Sequence, residues 1–225
     1  MSAQARELLQ TVRRELAPGE RENRLLPLIA DGRAPVSVLA ELAAQQHRII
    51  TSDRRSLLML AARCADVPAG GWFAALAEGE SQALRALTAF AEGCGLTPAE
   101  VAAREPLPGC QAYPAYLAWL ALNGEPTGTV LALAANFAAW GGYCATVARA
   151  LRGHYGFPDG ACAFFDFFAE PAPELEEQTV QVLASAELTG ELIDGGRRYG
   201  RQLQSYELMF WNTLADTLAD THPAG

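Results

Sequence analysis

The amino-acid sequence predicts an all-α fold, a multi-helix bundle organised as one domain over residues 1–225. Hydrophobic residues make up 50% of the chain and charged residues 19%, a balance that is typical of globular proteins and not of disordered ones. Apolar residues recur at helical spacing, and glycine and proline interrupt them at intervals suited to helices. No stretch shows the sustained alternation of a strand, so we expect helices alone.

Nine helices are expected from these interruptions. They are predicted at residues 3–16, 35–65, 71–93, 97–104, 111–123, 127–153, 159–169, 173–194 and 197–220. The clearest start signal begins at Thr97, which can cap a helix, while Pro98 suits the first helical position and Glu100 completes a capping box. Pro35 opens another helix, and the acidic residues that follow Pro173 favour the positive end of a helix dipole.

Charge and cysteine content narrow the possible partners. The formal net charge of −9 argues against DNA, RNA and anionic lipid, which attract basic surfaces. The five cysteines are odd in number and lack zinc-site spacing, so neither a disulfide scaffold nor structural zinc is indicated. The N-terminal segment is a charged amphipathic helix and not a secretory signal, and the apolar stretch 130–144 falls short of a membrane span. We expect a cytoplasmic protein with no membrane partner.

Several polar side chains fall inside apolar helical arcs. In the helix that begins at Pro35, Gln46 and Asp53 lie in the middle of the apolar arc, seven residues apart, and His47 lies at its edge. Glu207 sits within the apolar stripe of the last helix, and Glu80 lies among the apolar residues of its own helix. An ionised carboxylate is costly to bury without a partner. These residues are therefore candidates for the wall of a cavity.

A structural interpretation stands beside this one. Asp53 pairs with Arg54 or Arg55 in that alternative, and Glu80 is a residue at the boundary between core and solvent. For Glu207 we favour a role in a pocket, because it lies inside the apolar stripe of its helix.

The helix predicted at 127–153 carries a second polar strip. Asn136, Trp140 and Tyr143 run along one flank of its buried seam, which suits the wall of an aromatic or heterocyclic ligand site. Ordinary core packing is the alternative. The pair Gly141-Gly142 is unfavourable in the middle of a helix, and it predicts a close helix crossing or a ligand approach.

Four segments and one tyrosine carry a family resemblance. The segments are residues 23–32 before Pro35, 44–50, 137–143 with the Trp/Gly/Tyr pattern, and 205–212 with a Glu-x-x-Phe-Trp pattern; the tyrosine is Tyr113. Together they resemble the TenA/thiaminase II branch of the heme-oxygenase-like helical proteins, with PqqC-type proteins as more distant relatives. The resemblance implies a heme-oxygenase-like bundle around a central pocket, assembled as a homo-oligomer, either a dimer or a tetramer.

The resemblance also implies a site. In the family, a cysteine attacks the pyrimidine ring of thiamin or of an aminopyrimidine, and a glutamate of the last helix transfers protons. Glu207 matches that glutamate and is our catalytic candidate. A small heterocyclic ligand is expected, with no cofactor and no metal. The ligand-binding candidates are Gln46, His47, Asp53, Tyr113, Asn136, Trp140, Tyr143 and Tyr206.

The chain departs from the family at the nucleophile. Ala139, or Ala138 in another register, stands where the cysteine is expected, and Cys144 points toward the packed seam. The sequence therefore predicts acid/base or hydrolytic chemistry on a small heterocycle other than thiamin hydrolysis. One alternative is a non-catalytic binding or regulatory protein that acts through a protein partner.

A minor alternative is a di-iron oxidase, which would use carboxylates such as Glu80, Asp53 and Glu207. Such sites combine carboxylates with histidines in Glu-x-x-His pairs. The three histidines, His47, His154 and His222, form no such pair.

Overall fold

A computed structural model describes residues 1–19 and 21–220 and shows only helices and their connections there, which confirms the all-α prediction. The ten helices are α1 (Ser2–Leu16), α2 (Leu26–Ala30), α3 (Val36–Arg63), α4 (Pro68–Gly93), α5 (Pro98–Ala103), α6 (Pro108–Asn123), α7 (Pro126–Gly153), α8 (Asp159–Ala169), α9 (Pro173–Ser185) and α10 (Gly190–Asp220). His222 lies outside the described residues.

Local signals account for several helix starts. The capping box at α5 is present, since Thr97 Oγ1 accepts the Glu100 N–H at 3.3 Å and Glu100 Oε2 accepts the Thr97 N–H at 2.8 Å. Pro68 and Pro108 occupy the first position of α4 and α6, so both helices begin three residues earlier than predicted. The short α2 was not predicted, because five residues are too few to show a helical period.

The boundary between α9 and α10 was wrong in the prediction, which took Gly195-Gly196 as a break. Both glycines lie inside α10, where α7 passes close by: a Cβ on Gly196 would meet Leu131 Cδ2 at 2.9 Å and Gly128 O at 3.2 Å. The chain instead breaks after Ser185, and Thr189 Oγ1 accepts the Leu192 N–H at 3.3 Å at the start of α10. Gly196 therefore serves close packing and not chain reversal.

Buried apolar side chains form two clusters that occupy opposite ends of the long helices. The first, here the α8 cluster, joins the apolar residues of α8 to the N-terminal half of α3 and to the C-terminal parts of α4, α7 and α10. The second, here the α9 cluster, joins α1 and α9 to the C-terminal half of α3 and to the N-terminal parts of α4 and α7. Each of these long helices therefore crosses from one cluster to the other near its middle.

Helix α7 is the one helix in the described part of the chain that is long and apolar enough to cross a membrane, by length and composition alone. Half of its most apolar window, 50%, is buried inside the protein. It packs against α8 and α10, which is how the central helix of a globular bundle is placed. A membrane-spanning helix and the buried core helix of a bundle can share this length and composition.

The glycine pair of α7 gives a matched test of helix packing. A Cβ on Gly141 would lie 2.9 Å from the backbone oxygen of Phe168 in α8, whereas a Cβ on Gly142 would meet nothing within 4 Å. We expect Gly142→Ala to stabilise the protein by about 0.5–1 kcal/mol through helix propensity. Gly141→Ala is expected to destabilise it, because α8 must move away. Urea unfolding of both variants tests this, and equal effects would contradict the close approach of α8.

Candidate functional site

A cavity lies where the long helices pass from the α8 cluster to the α9 cluster. It has about 530 Å³ of empty space, counting its open mouth. Five helices turn a polar side chain toward it at this level. The lining residues are Gln46, Ile49, Ile50, Asp53, Glu80, Tyr113, Asn136, Phe137, Trp140, Phe168, Glu207 and Phe210.

A chain of hydrogen bonds holds Glu207 at the cavity wall. Tyr113 OH donates to Asn136 Oδ1 at 3.1 Å, and Asn136 Nδ2 donates to Glu207 Oε2 at 2.8 Å. The same amide nitrogen also lies 3.4 Å from Gln204 Oε1. With its oxygen accepting from Tyr113 and its nitrogen donating, the Asn136 amide has one orientation that satisfies both neighbours. Asn136 thereby fixes the position of the Glu207 carboxyl.

Glu207 combines burial with an unsatisfied oxygen. Its residue is 4% exposed, and Oε1 has no hydrogen-bond partner. Burial raises the pKa of Glu207 to about 8, and the bond from Asn136 opposes part of that rise. Since Oε2 accepts from Asn136, the proton of the neutral acid belongs on Oε1. A pKa of about 8 favours the protonated acid at neutral pH, and Oε1 is the oxygen that has no partner within the protein.

Two further carboxyls face each other from α3 and α4. Asp53 is 5% exposed, and its Oδ1 is buried without a partner. Burial raises the pKa of Asp53 well above its ordinary value, and the charge of Glu80 raises it further. Glu80 is half-buried at the cavity, where burial raises its pKa to about 8. Each group therefore disfavours ionisation of the other.

The predicted alternative of an arginine partner for Asp53 is wrong for the residues described. Arg54 Nε donates instead to Ser81 Oγ at 2.8 Å, and Arg55 is exposed. No ion pair joins either arginine to Asp53 within residues 1–19 and 21–220. Asp53 is consequently a buried carboxyl without a balancing charge.

Aromatic rings supply the remaining walls. Trp140 lies edge to face with Phe168 and Phe210, at centroid distances of 5.8 and 6.5 Å. It also packs on Trp211 at 5.6 Å, outside the cavity lining. No sequence pattern distinguishes Phe168 and Phe210 as lining residues, because an apolar side chain can face a core or a cavity equally well. Only the polar residues of the lining carried a usable signal.

Three of the predicted ligand-binding residues do not line this cavity. His47 is one residue, or about 100° of helix, from Gln46, and it lines a second cavity between α3, α4 and α5, where burial and the charge of Arg48 lower its pKa. Tyr143 instead packs edge to face on Trp211 at 5.6 Å. Tyr206 lies beside Glu207 in sequence but turns away to pack on Tyr116 at 5.4 Å. His47 and Tyr206 are each one residue away from a residue that lines the cavity.

All five cysteines are among the described residues, they are free, and none of them lines the cavity. Cys144 is completely buried, and burial raises its pKa well above that of an ordinary thiol. The charge of Glu207 also acts on the thiol of Cys144 and contributes to raising its pKa. Ala138 and Ala139, the expected nucleophile positions, do not line the cavity either; the residue of α7 that contacts Glu207 is Asn136.

Metal-binding groups are not assembled in the part of the chain that the structure covers. Within it, no three side chains of His, Cys, Asp or Glu are close enough together to hold an ion. Asp53, Glu80 and Glu207 share the cavity but lack a histidine beside them. The di-iron alternative has no ligand set among these residues.

Comparison with solved structures identifies the fold. A domain of unknown function with a heme oxygenase-like fold from Shewanella denitrificans OS217 superposes with a TM-score of 0.77 and 15% identity, covering 96% of this chain and 93% of that one. A TenA homologue from P. horikoshii OT3 gives 0.69 and 16%, covering 94% and 96%. A TenA homologue from Pseudomonas syringae pv. tomato str. DC3000 gives 0.72 and 11%, covering 95% and 92%. The heme-oxygenase-like bundle is confirmed.

The family follows from a separate comparison. No curated protein matches the chain. The model of the TENA/THI-4/PQQC family matches residues 25–216, which includes every residue that lines the cavity. The resemblance carried by the four segments is therefore confirmed, and the chain belongs to the TENA/THI-4/PQQC family.

Proposed function

We propose that this protein binds a small heterocyclic molecule in the cavity between the two clusters and transfers a proton to or from it through Glu207. The observation that carries the proposal is the unpartnered Oε1 of Glu207, which is buried at the wall of a cavity that five helices line with polar groups. Buried polar atoms are almost always hydrogen-bonded, so an orphan oxygen at a cavity points to a ligand group as its partner.

The pKa of Glu207 supports acid/base chemistry. A general acid or base works best when its pKa is close to the working pH, and burial brings this carboxyl to about 8. Asn136 and Tyr113 act as positioning residues, because they hold the carboxyl and leave Oε1 free. The aromatic walls suit a flat ring.

Thiamin hydrolysis through a cysteine is not part of the proposal. That route needs a thiolate beside the ring carbon, and the cavity lining contains no cysteine. Hydrolytic chemistry that uses water, with Glu207 as the proton carrier, requires no such nucleophile. We also propose that the protein is cytoplasmic and forms a homo-oligomer, either a dimer or a tetramer. It is proposed to make no direct contact with nucleic acid or membrane.

Glu207→Gln tests the assignment once a ligand is known. A thermal-shift screen of small aminopyrimidines, pyridines, imidazoles and thiamin is expected to reveal at least one ligand that raises the Tm. Wild-type turnover of that ligand, followed by mass spectrometry, is expected to fall by about 10²–10⁴-fold in Glu207→Gln while binding changes little. Glu191→Gln, an exposed carboxyl in the first turn of α10, is the matched control and should keep full activity.

The outcomes separate the alternatives. A ligand that binds without turnover would favour the non-catalytic binding protein, which acts through a protein partner. Unchanged turnover in Glu207→Gln would remove the proton-transfer role, and thiamin cleavage by the wild type would contradict the exclusion of that reaction. If no heterocycle binds, the cavity is not a ligand site of this kind.

A further inference from the structure

We propose that the end of the cavity formed by Asp53 and Glu80 recognises a positively charged nitrogen group, an ammonium or an amidinium, on the bound ring. This inference rests on the proposed function only in that the cavity is the ligand site; it does not require Glu207 to transfer a proton. The two carboxyls belong to different helices, α3 and α4, and both line the cavity.

The charges around the cavity set the sign of the ligand. Its lining contains three carboxyls and no arginine, lysine or histidine. The nearest basic group in sequence, Arg54, is bonded to Ser81, and His47 lies at the other cavity. A carboxylate or phosphate in this site would meet carboxyl groups without a compensating cation, whereas a cation would meet partners. The lining therefore favours a cation over an anion.

The unpartnered oxygen of Asp53 can accept a hydrogen bond from a donor on a bound molecule. The residue is only 5% exposed, and its Oδ1 is buried and accepts no hydrogen bond. An amidinium offers several N–H donors in one plane, and an ammonium offers three. Either group can satisfy Oδ1 and reach the neighbouring Glu80 carboxyl at the same time, which a single hydroxyl donor cannot do.

The aromatic walls favour the same charge. Phe137, Trp140, Phe168 and Phe210 surround the space, and the faces of such rings attract cations. A flat ring bearing the charged group can lie among these side chains while its substituent reaches the carboxyl pair. Ring stacking and charge recognition are then supplied by different residues.

Proton release is the measurable consequence. Without a ligand, burial and mutual repulsion keep protons on Asp53 and Glu80 at neutral pH. The other titratable groups that face them are Tyr113 from α6, whose pKa is raised and which stays neutral, and Glu207 from α10; α7 and α8 contribute none to the lining. A bound cation favours the ionised carboxyls and displaces protons. Because protons compete with the cation, its affinity rises as the pH increases from 6 toward 8.

Benzamidine and benzamide are matched probes for this test. They have nearly the same shape and differ in charge. We expect wild-type protein to bind benzamidine about tenfold or more tightly than benzamide in calorimetric titrations at pH 7.5, with protons released into the buffer. Asp53→Asn and Glu80→Gln should each weaken benzamidine binding by about tenfold and leave benzamide unchanged. Glu78→Gln, an exposed neighbour on α4 that pairs with Arg85, is the control and should change neither.

Results other than these would each contradict one part of the inference. Equal or tighter binding of benzamide would contradict charge recognition while leaving the cavity as a ligand site. A benzamidine preference that survives both substitutions would show that the charge is recognised elsewhere, and binding without proton release would contradict displacement at this pair. If neither probe binds, and no heterocycle of the thermal-shift panel does, the inference and the proposed function fail together. Both substitutions replace buried acids by neutral isosteres, so folded variants are expected.

Discussion

Replacing Glu207 by glutamine is expected to raise the free energy of unfolding at pH 8 by about 4 kcal/mol and to leave it unchanged near pH 4.5. Burial raises the pKa of this carboxyl from 4.5 to about 8 in the folded protein. The unfolded chain therefore gains favourable ionisation above pH 4.5, which the folded protein does not share until pH 8. The contribution of Glu207 to stability is fully present below its pKa in the unfolded chain. It falls by about 1.4 kcal/mol for each pH unit as the pH rises to the pKa of the folded protein. Glutamine keeps the acceptor for Asn136 and removes the penalty.

Urea unfolding at pH 4.5, 6 and 8 measures this effect. Glu191→Gln is the control, because this exposed carboxyl should give a nearly constant difference across the range. The pKa of Glu80 is also raised to about 8, so Glu80 should make the stability of the wild type fall more steeply with pH. Glu80→Gln is expected to make this pH dependence shallower. If the gain in stability of Glu207→Gln over wild type were no larger at pH 8 than at pH 4.5, the carboxyl would be hydrated or paired. A stabilised variant that has lost turnover would identify Glu207 as a residue kept for chemistry at the expense of stability.

Trp211→Ala is expected to cost about 3–5 kcal/mol of unfolding free energy, the usual range for a fully buried tryptophan. Its side chain is completely buried and contacts Trp140, Tyr143 and Phe210 in the α8 cluster. Because Trp140 is a cavity wall, loss of its support should also weaken ligand binding. Trp119→Ala is the matched control: this tryptophan is 47% exposed, and its loss should change stability by about 0.5 kcal/mol or less.

Trp211→Phe refines the same test. The indole Nε1 of Trp211 is buried without a hydrogen-bond partner, so phenylalanine loses volume but also removes an unsatisfied donor. We expect this variant to lie between wild type and Trp211→Ala in chemical denaturation. If Trp211→Ala were no more destabilising than Trp119→Ala, the α8 cluster would not depend on this ring.

Sequence reasoning was most successful where a polar residue interrupted an apolar arc. Gln46 and Asp53 are seven residues apart, which is nearly two helical turns, so one face of α3 had to carry both, and both line the cavity. The same reasoning placed Asn136 and Glu207 at a cavity. It failed for His47 and Tyr206, because each neighbours a lining residue and one position on a helix turns a side chain through about 100°.

The relations between helices could not be predicted in this way. Asn136 and Glu207 are 71 residues apart, and nothing local in either segment indicates that the amide will donate to the carboxyl. The facing of Asp53 and Glu80 likewise depends on how α3 packs on α4. Glycine pairs were ambiguous for a related reason: Gly195-Gly196 resembles a chain break in sequence, but it lies inside α10, and α7 passes close to Gly196.

The polar residues at the middle of the long helices lie between two apolar clusters that supply most of the buried core. Most of the apolar burial belongs to the α8 and α9 clusters, on either side of these polar residues, and Ile49, Ile50 and Phe210 belong both to the α8 cluster and to the cavity lining. We therefore expect substitutions at the polar mid-helix positions to alter ligand preference while leaving most of the apolar core in place. This architecture makes the bundle readily adaptable, and it gives a protein engineer a small, well-defined set of positions to vary.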